Sequence, residues 1–509
     1  MDYPFWDVGV GYGVMMAVIA IVHVFISHFA IGGGLYLVVS EMWARRRGDE
    51  AMLDFLKKLT KFFVLVTVVA GALTGVGIWF IIGLLNPAAT EVLIHNFVWG
   101  WAIEWTFFVI EITAAIVYYY GWKRMSARDH VIVGWIYFIS AWLSLVVING
   151  IITFMLTPGE WIRTGSFWDG FFNPTYWPSL VMRTGVCVML AGLYALVVAS
   201  RLRPAEVKAR MTRYSSVWGL AGLVVTLGAF LWYFDAIPAE ILTRAEPMFW
   251  PLASVEWFYQ TSALIAGLLI LFGLIAAKRN HVAVTVAILA IGISWFGAFE
   301  WFRESVRKPY VIEGYMYAHG VELAKDELYA EEGWLAHMPY RTGNDGADLF
   351  RRGCGSCHTI DAGYRELGPT FAGTDAAFTA GALRGIHRMR VEMPRFSGNE
   401  EEIEALAEYI SSNVDQRPLW EIHQLEGPAL GEKVYEVRCG KCHVIGGFND
   451  KWETLAGMTR ADYLEMFPMF GDFSEEMPPF TGDEKEAEAL ALYLESLNEE
   501  GGSDASTGL

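Results

Sequence analysis

Cysteine is scarce in this chain, with five residues in 509, and four of them fall in two copies of one pattern. A Cys-x-x-Cys pair alone suits a zinc half-site, a redox dithiol or a disulfide. Zinc would need two more soft ligands at each pair, and only Cys187 is left over, within an apolar stretch where packing explains it. Charge is scarce as well, but only in one half. Residues 1–310 hold 22 Lys and Arg against 19 Asp and Glu, a net +3, whereas residues 311–509 hold 16 against 37, a net −21. Such a division excludes a single soluble globule. A cleavable export signal is not expected, since no basic run precedes the first apolar stretch and that stretch is too long for a signal core. The first helix is therefore expected to act as an uncleaved signal.

What is present is Cys354-Gly-Ser-Cys357-His358 and its echo Cys439-Gly-Lys-Cys442-His443. Two thiols three apart with histidine directly after them are the attachment signature of c-type haem, with thioethers to the vinyl groups and imidazole on iron. Met393-Pro394 lies 35 residues after His358, and Met477-Pro478 lies 34 after His443. A methionine on the second axial position makes a His/Met haem of relatively high potential. The sequence around each motif is duplicated: Gly346-Ala-Asp-Leu-Phe answers Gly431-Glu-Lys-Val-Tyr, and Met393-Pro-Arg-Phe-Ser-Gly answers Met477-Pro-Pro-Phe-Thr-Gly. Each copy resembles the small class I cytochrome c fold.

Eight apolar stretches fill the first half, near 12–42, 59–85, 96–121, 131–156, 178–200, 214–235, 251–276 and 281–302. Each can cross a hydrocarbon core of about 30 Å as a helix. The expected fold is all-α: a polytopic bundle of about eight transmembrane helices in 1–304, then two tandem small α-helical cytochrome c domains. A connector covers 305–341, the domains 342–415 and 416–498, and a disordered tail 499–509. His319 and His337 fall in the connector and read as surface polar residues.

Positive charge sets the orientation. Arg45–Arg47, Lys57, Lys58 and Lys61, then Lys123, Arg124 and Arg128, then Arg201 to Arg213, then Lys278 and Arg279 follow the odd helices; the opposite loops hold Arg163 and Arg244. Odd loops are thus expected in the cytoplasm of a bacterium. The N-terminus and the cytochrome c domains then lie on the periplasmic or extracytoplasmic side of the inner membrane, where c haem is attached.

Ionisable groups in a membrane helix are costly and mark function. His23, His28, Glu104, Glu111, Arg183, Glu300 and Glu304 are those to explain. Neutral histidine suits iron, carboxylates can ligate or carry protons, and arginine can balance haem propionates. Glu104 and Glu111, seven apart, share a helix face.

On these residues the first half resembles the large subunit of cytochrome bd oxidases. The likeness is carried by His23 in Val-His-Val-Phe-Ile, Gly71-Ala-Leu-Thr-Gly, Ala102-Ile-Glu, Phe108-Val-Ile-Glu-Ile, Tyr120-Gly-Trp, Asn149-Gly150 and Glu304-Ser-Val-Arg-Lys-Pro-Tyr. The resemblance implies that His23 ligates an oxygen-binding haem d, that Glu104 and Glu111 serve that haem and proton delivery, and that Glu304 ligates a high-spin haem b. The two glutamates are seven apart here and eight in the family.

There are departures. Arg183 stands where the family places a histidine ligand of its low-spin haem b, and Gln260 where it places the partner methionine. The quinol-binding loop shrinks to Asp235–Pro251, and the c pair replaces a ninth helix.

The implied cofactors are two covalent haem c and one or two non-covalent haems of b or d type. The implied function is a c-linked bd-type terminal oxidase subunit reducing oxygen or another small oxidant at an outer-leaflet haem. The alternative is a non-oxidase electron-transfer subunit linking quinone or haem b to a periplasmic redox partner. Expected partners are a second membrane subunit, a larger respiratory complex, lipid, and a redox protein docking through basic residues on the acidic half. No nucleic-acid partner is expected.

Overall fold

A computed structural model describes residues 8–447, 449–474 and 477–499, and the side chains of those up to 498. Among the described residues, eight helices are long and apolar enough to cross a membrane. They are α1 (Tyr12–Arg47), α2 (Glu50–Leu85), α3 (Val98–Gly121), α4 (Ala127–Phe154), α5 (Tyr176–Ala199), α6 (Ala205–Asp235), α7 (Phe249–Ile275) and α8 (Val282–Arg307). The chain divides into two compact units, Met16–Met316 and, together with the residues before Met16, Tyr317–Leu509.

In the membrane unit α5 is the central helix. Of its apolar stretch 78% is buried, against none for α2, so the other helices wrap around it. Small residues permit this. A Cβ on Gly192 would lie 2.5 Å from the Gly219 nitrogen and Ser215 oxygen of α6, and Gly32 of α1 lies directly on the Cys187 carbonyl. Without a hydrophobic drive between helices in lipid, such close backbone contact supplies the packing energy. Cys187 is 1% exposed, as its packing role predicts. Asp49 caps α2 by accepting from Met52 N at 3.1 Å, and Ser126 caps α4 by accepting from Asp129 N at 3.1 Å.

The other unit holds two cores built alike. The first is formed by α9 (Asp345–Gly353), α10 (Ala376–Met389) and α11 (Glu400–Ser412); the second by α12 (Gly427–Arg438), α13 (Arg460–Met466) and α14 (Glu484–Glu499). In each, a glycine lets the first helix cross the last. A Cβ on Gly346 would lie 2.5 Å from Ala405 O and Tyr409 Cβ, and one on Gly431 would lie 2.6 Å from Tyr493 Cβ. Each core also buries a glutamate near the start of its last helix. Glu402 accepts from Trp334 N at 2.7 Å and Leu335 N at 2.6 Å; Glu486 accepts from Leu419 N at 2.6 Å and pairs with Arg438 at 2.7 Å.

These bonds change the meaning of the stretch read as a connector. Val321, Trp334, Leu335 and Met338 belong to the first core. His319, expected at the surface, is buried against Trp334 at 5.1 Å, because Glu402 draws the stretch onto α11. His337 does face outward and pairs with Glu332 at 2.9 Å. The remainder of the stretch includes the strands Tyr310–Ile312 and Met316–Tyr317 and the short helix Asp326–Glu332. Of the tail read as disordered, α14 includes Glu499 and the rest lies outside the described residues.

Candidate haem and proton sites

Each Cys-x-x-Cys-His run continues the helix before it by one turn. Cys354 N donates to Phe350 O and His358 N to Cys354 O, both at 2.8 Å; Cys439 N to Tyr435 O and His443 N to Cys439 O repeat this at 2.8 Å. The turn puts both thiols and the imidazole at one end of α9 or α12. The His358 ring donates from Nδ1 to Arg365 O at 3.0 Å, and the His443 ring from Nδ1 to Asn449 O at 3.1 Å. A ring whose Nδ1 carries the proton keeps its lone pair on Nε2, the tautomer a haem ligand needs.

Burial pushes the Cys354 and Cys439 thiols up to about 12, and none of the four motif cysteines is tied up in a disulfide. Met393 and Met477 both sit in tight turns, with N–H donated to Arg390 O and to Ser474 O at 3.0 Å. This donor set, present twice, fits haem c. The two cores also touch: Cys442 Sγ lies 2.8 Å from Met389 Sδ, and a Cβ on Gly381 would lie 2.8 Å from Pro478.

In the membrane unit His23 contacts Thr74 Oγ1 through Nδ1 at 3.1 Å. Thr74 already donates to Ala70 O at 2.8 Å, so it accepts from His23, again leaving the lone pair on Nε2. Gly75 makes room for the ring, since a Cβ there would lie 3.1 Å from His23 Cε1. His28, five residues further, donates to its own helix at Val24 O, 2.8 Å away.

Arg183 is 1% exposed and bonds Glu300 at 3.1 Å; Arg303 bonds the other Glu300 oxygen at 2.7 Å. Glu304 is taken up by Arg307 and by Lys308, the latter at 2.8 Å. Gln260 is exposed and donates to Glu256 at 2.7 Å. Among the described residues, six buried polar atoms on α1, α5, α6 and α8 have no hydrogen-bond partner: Ser216 Oγ, and a group made of His28 Nε2, Arg183 Nε, Arg303 Nη1, Arg307 Nε and Tyr233 Oη. Buried donors are rarely left orphaned without a ligand to meet them. A lone pair on imidazole beside arginine N–H groups suits iron and propionates, so the residues fit a non-covalent haem. The sequence reading missed Arg303 and Arg307, whose signal is their place three residues after Glu300 and Glu304.

The helix-three glutamates both face α4. Glu104 accepts from Ser144 at 2.8 Å and Glu111 from Tyr137 at 3.1 Å. A third rung follows at the same spacing. Tyr118 O meets His130 Nε2 at 2.9 Å, while Tyr118 Oη at 2.7 Å, His130 Nδ1 at 2.8 Å and Arg45 at 2.6 Å all converge on Glu41, a fully buried carboxylate of α1. The rungs are seven residues apart on both helices, about 10 Å each. Glu41, Tyr118 and His130 were not anticipated, although Glu41 four residues before Arg45 in an apolar run was a usable signal. No hydrogen bond or ion pair joins His23 to Glu104 among the described residues.

Residues 14–286 match the family model described as cytochrome bd terminal oxidase subunit I. Residues 341–410 and 426–494 each match the model described as cytochrome c oxidase, cbb3-type, subunit III. A solved structure, that of the bd oxidase from Geobacillus thermodenitrificans, is similar at 15% identity with a TM-score of 0.49, over 61% of this chain and 90% of that one. No curated protein sequence matches the chain. The first of these matches ends within α8, before Glu300 and Glu304.

Proposed function

Since the chain belongs to the cytochrome bd terminal oxidase subunit I family and carries two cytochrome c domains behind that membrane half, we propose that this respiratory electron-transfer protein is the subunit of a c-linked bd-type oxidase. It takes electrons from an external donor and reduces oxygen or another small oxidant. The observation that carries the reading is the set of orphaned buried groups on α1, α5, α6 and α8 in a chain that also carries two Cys-x-x-Cys-His turns with matching histidine bonds.

When bound, the c haems supply one-electron carriage and the non-covalent haem supplies the centre where the oxidant is reduced. Cys354, Cys357, Cys439 and Cys442 would hold the former by thioethers, and His358 with Met393, and His443 with Met477, would be the residues that ligate their irons. His23 would present Nε2 as a ligand in the membrane half. Arg183, Arg303 and Arg307 would offer N–H groups to propionates; against Glu300 and Glu304 they leave one positive charge, and Lys308 adds a second.

Protons move along the ladder on α3 and α4. Glu41 with His130 and Tyr118 collects a proton at the Arg45–Arg47 end, Glu111 with Tyr137 holds it midway, and Glu104 with Ser144 delivers it. Water carries it across each gap of about 10 Å.

In this reading the Arg45–Arg47 end faces the cytoplasm and the c domains face the periplasm of the bacterial inner membrane. A second membrane subunit encloses the haems. The −21 charge of residues 311–509 attracts a basic donor, so turnover with that donor falls as salt rises.

The test is a reduced-minus-oxidised spectrum with haem extraction and oxygen uptake from a reduced donor. A non-covalent haem signal with oxygen uptake is expected. Non-covalent haem b without uptake would favour an electron-transfer subunit, and c haem alone would overturn the oxidase reading. His23→Ala should remove a non-covalent haem while both c haems stay.

A further inference from the structure

Away from the haem and proton residues, a groove of about 590 Å³ opens between α2, α3 and α5. Its apolar wall includes Leu65 and Val69, exposed by 62% and 59%, and its rim holds Lys58, Lys61 and Arg201. All three cations are exposed. Neighbouring Lys57 pairs with Asp54 at 3.4 Å, but among the described residues none of the three forms an ion pair.

The wall has a local cause. Residues Leu65–Gly71 of α2 form a π-helix, and none of them is buried in the chain. A π turn adds a residue per turn and widens the helix locally, and such turns cluster at functional positions. Here the widened stretch runs from the basic rim down the apolar wall.

We infer that the groove between α2, α3 and α5 binds an anionic phospholipid, with its phosphate on Lys58, Lys61 and Arg201 and an acyl chain along Leu65 and Val69. Unpaired cations at the edge of a membrane-spanning segment attract acidic headgroups, and basic pockets between transmembrane helices are suited to them. The volume lies in the range of small-ligand sites, roughly 300–1,000 Å³, and is small for a transmembrane helix of a partner subunit.

The test uses the full-length haem-loaded protein in detergent. After exhaustive detergent exchange, native mass spectrometry should find one retained phosphatidylglycerol. Added phosphatidylglycerol should raise the melting temperature of the membrane half, whereas phosphatidylcholine and inorganic phosphate should not. The triple change Lys58→Gln, Lys61→Gln and Arg201→Gln should weaken phosphatidylglycerol binding at least tenfold, while Lys278→Gln with Arg279→Gln should not. Val69→Trp fills the apolar wall without touching the cations, so it should also displace the lipid, with c haem content reporting that the chain has folded. Equal binding of phosphatidylcholine, displacement by inorganic phosphate, or retention in both the triple and the Val69 variants would overturn the proposal. So would a photocrosslinker at Leu65 that captures a partner polypeptide instead of lipid.

Discussion

Acid should loosen the first cytochrome c domain through His319. The ring is buried, accepts from Val321 N at 3.4 Å and donates to Arg395 O at 3.3 Å, two residues beyond Met393. Burial, with help from the nearby Arg352 charge and against the bond to Arg395, lowers its pKa from 6.5 to about 4. The sign follows from proton counting. Below pH 6.5 the unfolded chain binds a proton that the folded ring refuses, so His319 favours the folded state above pH 6.5 and that advantage is lost as pH falls towards 4.

At pH 5 the loss is 1.5 pH units at about 1.4 kcal/mol each, or about 2 kcal/mol. For a domain of this size that lowers the melting temperature by roughly 8–16 °C. The assay follows Met393 ligation by the visible absorbance of the first c haem during heating at pH 7 and pH 5. The second c haem serves as internal reference. His319→Gln keeps a donor and an acceptor but does not titrate, so its melting temperature should fall much less between the two pH values. If wild type and variant show the same pH dependence, the reasoning is wrong.

In the second domain, Glu486→Gln leaves Arg438 buried without its carboxylate, which should cost about 3–5 kcal/mol. Heating should then release the second c haem's methionine well before the first; simultaneous loss would refute the assignment. Met393→His should lower the potential of the first c haem and leave that of the second, as read by potentiometric titration. Tyr137→Phe removes the hydroxyl that donates to Glu111 and should slow oxygen uptake roughly tenfold with haem content unchanged. Unaltered turnover would take Tyr137 out of the proton ladder.

Much of the molecule was legible before any coordinates. Covalent haem attachment is a local requirement, so Cys354–His358 and Cys439–His443 declare themselves by spacing alone. Spanning a membrane is a matter of apolar length, so eight helices could be counted. Internal duplication exposed the two c domains because each repeat keeps its glycine, motif and Met-loop in one order.

What only the tertiary structure decided are the long-range pairings. That α3 and α4 pair in a register matching Glu104, Glu111 and Tyr118 with Ser144, Tyr137 and His130 depends on where two antiparallel helices cross. That His319 lies inside depends on Glu402, 83 residues away, capturing the backbone of Trp334 and Leu335. And that Arg183 answers Glu300 depends on α5 meeting α8. A charge in an apolar helix shows that a partner must exist, because burying it alone costs too much; which partner it finds is settled by packing.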